Sequence, residues 1–322
     1  MIYFMLIGGL SLLLIGAEIM LKGAIGLADK FNLSKLVIGL TVVAFGTSAP
    51  EFVVSLNAVL SGSPGLAIGN LIGSNIANIL LVLAIAGLIT PIIIQPRSLK
   101  EDGYLLLGGT VLFSVIIFFG DITGFTALIL ISYFVFFISY SFFREKGRVN
   151  TTKQQPNSVA DEIDSAPNSL VKIILYLIIG FTGLIFGSDL LVTGGVGVAR
   201  VFGISEAVIG LTIVAFGTSL PELAATAVAA YRKHSDVALG NLVGSNIFNI
   251  IGIVGVVSLI SPMEVPERII EIDLWVMLAA TLILMPFMIG NKKVFGRTGA
   301  SLFLLFYIFY IGAVGYGIGD FN

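Results

Sequence analysis

Residues 37–51 read VIGLTVVAFGTSAPE, and residues 208–222 read VIGLTIVAFGTSLPE. The two stretches differ at only two positions and lie 171 residues apart. At the same spacing, GNLIGSNIAN at residues 69–78 recurs as GNLVGSNIFN at residues 240–249. Each half of the chain therefore carries the same two motifs in the same order, which indicates an internal duplication.

The composition is that of an integral membrane protein. Of the 322 residues, 57% are hydrophobic and only 11% are charged, and the mean hydropathy is +1.06. Soluble domains usually carry about 25% charged residues. Apolar runs of spanning length predict about ten transmembrane helices, divided equally by one polar segment. They cover residues 2–27, 34–60, 66–89, 103–119 and 123–143, then 170–199, 205–231, 237–260, 272–289 and 300–317.

An odd number of helices in each repeat places the second repeat in the opposite orientation. The sequence therefore predicts an all-α polytopic membrane protein built from two inverted five-helix repeats. The first repeat would occupy residues 1–143 and the second residues 170–322. Between them, residues 144–169 form a predicted cytoplasmic linker, which is rich in polar and charged side chains.

The positions of the basic residues predict the orientation in the membrane. With the N-terminus outside, 14 Lys and Arg residues fall in cytoplasmic loops and flanks, and only Arg200 and Arg268 fall outside. We therefore expect a multi-pass protein of the cell inner (plasma) membrane with both termini outside. Its expected partners are the lipid bilayer and inorganic cations. No basic stripe suggests nucleic acid, and no obligate protein partner is inferred.

Several chemistries are excluded by what the chain lacks. It has no cysteine and one histidine, His234, so disulfides, thiolate catalysis and histidine-rich metal centres are ruled out. An intramembrane hydrolase would need a nucleophile beside a base, and neither Ser48 nor Ser219 has a histidine or lysine near it within the membrane. The sequence thus indicates a protein that is not an enzyme and that uses no cofactor.

The duplicated motif offers oxygen ligands inside the membrane. Pro50 lacks an N–H and its ring clashes with the carbonyl four residues earlier, so the second helix should break between Gly46 and Pro50. Carbonyls freed there need protein, water or an ion as partner. Glu51 lies one turn from Thr47, on the same face. The candidate cation ligands are Thr47, Ser48 and Glu51, repeated as Thr218, Ser219 and Glu222.

A second set of polar residues recurs every four positions in the third and eighth helices. This spacing places them on one face of each helix. Two interpretations are open, because such side chains either bind cations or form hydrogen bonds between helices. The set consists of Asn70, Ser74 and Asn78, repeated as Asn241, Ser245 and Asn249.

The charge of the predicted site favours a divalent ion. Ca²⁺ takes six to eight oxygens, and two glutamates could supply up to four. Sodium could use the same oxygens, and competition for one set of ligands is a direct route to exchange. A calcium/proton antiporter is the alternative, because a carboxylate in a low dielectric also binds protons. A cation channel would explain the polar lining too, but inverted repeats with broken helices favour alternating access.

These motifs resemble the paired repeats of the cation/Ca²⁺ exchanger superfamily. GTSAPE with GSNIAN, and GTSLPE with GSNIFN, are most similar to its prokaryotic sodium/calcium exchanger branch, also called potassium-dependent exchanger-like. The resemblance covers nearly the whole chain and implies ten helices, alternating access and secondary active antiport of calcium against sodium. It implies central calcium binding by Glu51 and Glu222. Further ligands would be Thr47, Ser48, Thr218 and Ser219, with Ser74, Asn78, Ser245 and Asn249 completing flanking ion sites.

One position departs from the family pattern. Many sodium/calcium exchangers have an aspartate where this chain has Asn249, and the first repeat likewise ends in Asn78. The site therefore has two central carboxylates instead of three. In the family that aspartate is associated with potassium dependence or with a protonatable, sodium-linked position, so its absence argues against potassium co-transport.

Overall fold

The computed structural model describes residues 2–94, 96–152, 166–202, 215–289 and 293–315, which are almost entirely helical. Two short strands, β1 (Ile92–Ile94) and β2 (Lys293–Phe295), pair antiparallel. We number the helices in these ranges in chain order. They are α1 (Ile2–Phe31), α2 (Lys35–Thr47), α3 (Ala49–Leu60), α4 (Pro64–Ile89), α5 (Pro96–Phe118), α6 (Gly124–Thr152), α7 (Leu170–Val201), α8 (Ala215–Gly217), α9 (Leu220–Tyr231), α10 (Ser235–Ile260), α11 (Ile269–Ile289) and α12 (Arg297–Gly315).

Most of the predicted membrane-spanning helices are confirmed. Within the described ranges, eight helices are long and apolar enough to cross a membrane, and the bent pair α2–α3 makes a ninth. The protein is therefore a multi-pass, all-helical membrane protein. The predicted count of ten also included a helix over residues 205–231. Residues 203–214 lie outside the described part, which contains only α8 and α9 of that helix, so the count stays a prediction.

Two helices are longer than their apolar runs. α5 begins at Pro96 instead of residue 103, because charged residues of its first turns join it to α6: Arg144 lies 2.8 Å from buried Asp102 and 3.3 Å from Glu101. α6 continues to Thr152 instead of ending at residue 143, so the start of the predicted linker is helical. Residues 153–165 of that linker lie outside the described residues.

The two most buried helices, α4 and α10, form the centre of the molecule. α10 packs against α2, and α4 packs against α3 and α9. Each central helix widens into a π-helical turn, over Asn78–Val82 and Phe248–Ile253. Such turns often occur at functional sites. Buried polar residues lie along both helices, namely Ser74, Asn75 and Asn78 in α4, and Asn241, Ser245, Asn246 and Asn249 in α10.

α1 and α7 form a pair whose backbones nearly touch. A Cβ atom added to Gly16 would lie 2.9 Å from the carbonyl oxygen of Gly180. One added to Gly180 would lie 2.5 Å from the backbone nitrogen of Met20. Only glycine permits this approach, as in other tightly packed membrane helices. The close fit makes α1 and α7 one packing unit.

This unit unequally covers α3 and α9, the two helices that carry the motif prolines Pro50 and Pro221. α1 packs against α9, whereas α7 makes at most marginal contact with α3. Val53 and Val54 of α3 are 53% and 38% exposed, while Ala224 and Ala225, at the equivalent positions of α9, are 7% and 2% exposed. The helix that carries Glu222, α9, is therefore shielded, whereas the helix that carries Glu51, α3, is exposed.

An ion pair joins α1 to the end of α9 on the shielded side. Two guanidinium nitrogens of Arg232 each lie 2.9 Å from a carboxylate oxygen of Glu18, and Lys22 lies 3.7 Å from the same carboxylate. His234 is half-buried nearby. Its burial, together with Lys35 and Arg232, lowers the pKa of this histidine to about 4, so it is neutral at pH 7.

Candidate cation site

The predicted break in the second helix is confirmed. α2 ends at Thr47 and α3 begins at Ala49, with a bend of 44° between them. Ser48 occupies the break, and Pro50 lies in the first turn of α3. Backbone N–H groups in a first turn have no partner within the helix, so a proline there costs no helical hydrogen bond. The proline therefore begins a new helix and leaves the end of α2 open to other partners.

The second copy breaks at the corresponding place. α8 ends at Gly217, and α9 begins at Leu220 with Pro221 in its first turn. Pro221 offers no N–H to the Gly217 carbonyl, which instead accepts a hydrogen bond of 2.6 Å from the Ser188 hydroxyl of α7. The predicted loss of a helical partner thus occurs in this copy, and a hydroxyl from another helix replaces it.

Both glutamates of the motif are buried at the starts of these helices. Glu51 is 0% exposed and Glu222 is 1% exposed. Each lies in the first turn of its helix, where the helix dipole favours negative charge. They are close enough for their charges to repel. Two buried carboxylates that repel each other form a single electrostatic centre, which a cation would stabilise.

Hydroxyl groups surround this centre, and several of their contacts join the two halves of the chain. The Ser48 hydroxyl donates a hydrogen bond of 2.9 Å to Glu222 Oε1. In the first half, the Ser74 hydroxyl lies 3.5 Å from Glu51 Oε1, at the limit for a hydrogen bond. The Thr47 hydroxyl lies 3.4 Å from that of Ser245. The structure therefore brings six of the predicted residues together: Thr47, Ser48, Glu51, Ser74, Glu222 and Ser245.

The other four predicted residues occupy less connected positions. Thr218 is half-buried, bonds to Asn70 at 3.4 Å, and lies near Glu51. Ser219, Asn78 and Asn249 are buried, and their side-chain polar atoms have no hydrogen-bond partner in the described part of the chain. The same holds for the second oxygen of each glutamate. Buried polar atoms without partners are costly, so these oxygens are available to a ligand.

Sequence reasoning missed two hydroxyls behind the predicted ligands. Asn241 accepts from Thr47 and donates to Thr226, while Asn70 donates to Ser55. Ser55 and Thr226 each follow a motif glutamate by four residues, at the repeat spacing. That recurrence was the available signal. Of the two interpretations of Asn70 and Asn241, hydrogen bonding between helices is the one these contacts support.

The remaining ligands of a cation would have to be hydroxyls and amides. Across the described residues, no group of three or more His, Asp or Glu side chains could hold a metal ion. A site with two carboxylates and several neutral oxygens still satisfies the preference of hard cations such as Ca²⁺ and Na⁺ for oxygen.

Comparison with known proteins decides the family. Residues 1–143 and 172–315 match the model of the sodium/calcium exchanger protein family. The chain belongs to this family. The exchanger is 34% identical to the sodium/calcium exchanger MaX1 of Methanosarcina acetivorans, over 96% of this chain and 97% of that protein. It is 35% identical to the inner membrane protein YrbG of Escherichia coli, over 87% of this chain and 86% of that protein.

Solved structures agree with the family assignment. The exchanger matches a structure of the sodium-calcium exchanger NCX_Mj with a TM-score of 0.83, at 34% identity over 97% of this chain and 98% of that one. The resemblance seen in the duplicated motifs is therefore confirmed. The exchanger is a cation antiporter of the membrane and not an enzyme.

Proposed function

We propose that this exchanger carries calcium in one direction and sodium in the other. The observation that carries the proposal is the pair of buried carboxylates, Glu51 and Glu222, linked across the halves by the Ser48–Glu222 hydrogen bond. No ion pair reaches either carboxylate among the described residues, so their two negative charges match one divalent ion. The named activity of MaX1 and NCX_Mj as sodium/calcium exchangers supports the choice of ions.

The proposed ion ligands come from both halves of the chain. Nine of the ten are buried, and two carboxylates with neutral oxygens suit calcium. Sodium would compete for the same oxygens, which couples the departure of one ion to the binding of the other. The proposed ligands are Thr47, Ser48, Glu51, Ser74, Asn78, Thr218, Ser219, Glu222, Ser245 and Asn249.

The proposed architecture is ten helices in two inverted repeats, residues 1–143 and 170–322, joined by a cytoplasmic linker at 144–169. Two observations support it. The Thr47–Asn241 contact recurs as Thr218–Asn70 with the halves exchanged. The family model matches the chain in two segments separated at this linker. The basic residues favour outside termini, and the name of YrbG favours the inner membrane.

Alternating access is the proposed mechanism, and the unequal cover of α3 and α9 supports it. In this conformation α1 shields α9, while α3 is exposed. A displacement of the α1–α7 unit that uncovers α9 and covers α3 would switch the side from which the carboxylates are reached. The Glu18–Arg232 pair would have to break during that displacement.

A calcium/proton antiporter is the second candidate, because two buried carboxylates that repel each other readily bind a proton. The only histidine does not strengthen it. His234 has a pKa of about 4 and lies between α9 and α10, so it stays neutral over the physiological range.

The decisive experiment is calcium uptake into proteoliposomes containing the purified protein, with sodium, potassium and proton gradients imposed one at a time. We expect an outward sodium gradient to drive uptake, and replacement of potassium by a large organic cation to leave the rate unchanged. Uptake driven only by the proton gradient would show that protons, and not sodium, are the coupling ion. Current that does not saturate with calcium would indicate a channel instead.

A further inference from the structure

A chain of hydrogen bonds runs behind one of the proposed ligands. The Thr47 hydroxyl donates to Asn241 Oδ1 at 3.1 Å, and Asn241 Nδ2 donates to the Thr226 hydroxyl at 3.0 Å. All three side chains are at most 1% exposed. Thr226 lies one turn after Glu222 on α9, on the same helix face. The chain therefore links the break of the first half to the carboxylate helix of the second.

The same chain occurs with the halves exchanged. The Thr218 hydroxyl donates to Asn70 Oδ1 at 3.4 Å, and Asn70 Nδ2 donates to the Ser55 hydroxyl at 3.3 Å. Each member lies 171 residues from its counterpart. Ser55 is fully buried, while Asn70 and Thr218 are half-buried on the less covered side. Two occurrences in independent parts of the structure argue against a chance contact.

A hydroxyl that binds a cation uses a lone pair of its oxygen, so its proton must point away from the ion. In a buried site that proton needs an acceptor. The carboxylates of Glu222 and Glu51 lie near Thr47 and Thr218 respectively, but a carboxylate bound to a cation is a poor second partner. The Ala44 carbonyl and the Ser245 hydroxyl lie 3.3 and 3.4 Å from the Thr47 hydroxyl, but the asparagine Oδ1 is the closer acceptor for Thr47 and the one that recurs in both copies.

An asparagine can serve in this way only if its amide is held in one orientation. Its Nδ2 must donate elsewhere so that Oδ1 faces the threonine. Thr226 and Ser55 accept from Nδ2 and thereby fix the amide. Neither hydroxyl needs to touch the ion.

We propose that Asn241 with Thr226, and Asn70 with Ser55, are positioning residues that orient the Thr47 and Thr218 hydroxyls for cation binding. The inference rests on the proposed function, since it assumes that these two threonines bind the transported ion. Loss of a positioning hydroxyl should weaken the binding of the ion without stopping the transport cycle.

The test measures sodium-driven calcium uptake by Thr226→Val and Ser55→Ala. For Thr226→Val we expect the half-saturating calcium concentration to rise about fivefold, or about 1 kcal/mol, with the maximal rate within about twofold of the parent. Ser55→Ala should give a smaller rise, because water reaches its side of the site more easily. Thr226→Ser keeps the hydroxyl and should restore the parent value. Thr110→Val is the matched control, since among the described residues its hydroxyl bonds only to the Leu106 carbonyl of its own helix.

Three results would overturn the proposal. The first is a half-saturating concentration for Thr226→Val equal to that of the control. The second is a fall in maximal rate alone, and the third is an equal defect in Thr226→Ser, which would indicate packing. If Thr226→Val does not fold, Ser55→Ala decides by the same criteria. Failure of the proposed function is separate, because it would show as calcium exchange that survives Glu222→Gln or is absent in the parent.

Discussion

At the scale of single residues, the proposed function makes the charge of the two buried glutamates decide which ion the site can hold. Glu51→Gln or Glu222→Gln keeps the size of the side chain and one oxygen but removes a charge from a divalent site. We expect either change to reduce sodium-driven calcium uptake about 100-fold or more, since a buried ion that loses its partner is strongly destabilised. The measurement is uptake in proteoliposomes, with folding checked by gel filtration.

Glu264→Gln is the control for these two variants, because Glu264 is an exposed glutamate in the loop before α11. It should transport calcium at the parent rate. Near-normal calcium uptake by either site variant would show that the mutated glutamate does not bind the ion.

The absence of a third carboxylate can be tested at Asn249. This buried side chain has no hydrogen-bond partner among the described residues and lies one turn after Ser245 on α10. In Asn249→Asp, repulsion between the new acid and the existing carboxylates favours protonation of one of them. Calcium uptake should then fall more steeply below neutral pH than in the parent, by about tenfold per pH unit at the limit. Superimposable pH profiles, at matched expression, would place Asn249 outside the ion pathway.

The local chemistry of the site could be predicted from the sequence, but its contacts could not. Pro50 requires a break in α2, and its repetition at Pro221 favours a functional role for the break. The repeat spacing shows which residues correspond, yet it does not show that Ser48 contacts Glu222. Thr226 was overlooked because a single threonine in an apolar helix usually bonds to its own backbone.

At the scale of the secondary-structure elements, hydropathy predicts the apolar part of each helix. It does not predict helix ends that contain charged residues. α5 begins earlier than its apolar run because Arg144 neutralises buried Asp102. The strand β1 was missed because its three isoleucines fall in the short stretch between two predicted helices, and its partner β2 lies in the other half of the chain. Pairing over such a separation leaves no local signal.

The glycine contacts between α1 and α7 can be tested by adding one methyl group. In Gly16→Ala the new Cβ would lie 2.9 Å from backbone atoms of α7, so the helices must separate. We expect a loss of about 1–3 kcal/mol, seen as a lower melting temperature of the purified protein in detergent. Gly8→Ala, in the same helix, meets no atom within 4 Å and serves as the control. Equal melting temperatures for the two variants would show that the contact does not depend on glycine.

At the scale of the whole molecule, the proposed inverted orientation of the halves can be tested directly. The chain has no cysteine, so one can be introduced at Ser63, before α4, and separately at Ser235, at the start of α10. These serines lie at the starts of equivalent helices in the two proposed repeats. With opposite topologies, a membrane-impermeant thiol reagent should label Ser63→Cys from outside and Ser235→Cys only after permeabilisation. Labelling of both from one side would contradict the inverted repeat.

The Ser48–Glu222 hydrogen bond also has a consequence for the synthesis of the protein. Its two partners are 174 residues apart, and at ribosomal speed that separation takes about 9 to 35 seconds to translate. During this interval the first half can already span the bilayer, while Thr47 and Ser48 lack their cross-half partners and the bilayer supplies no water in their place. Insertion of the first half and assembly of the site are therefore separate steps in time. The cross-half contacts of Thr47 and Ser48 can form only after the ribosome has made the corresponding segment of the second half.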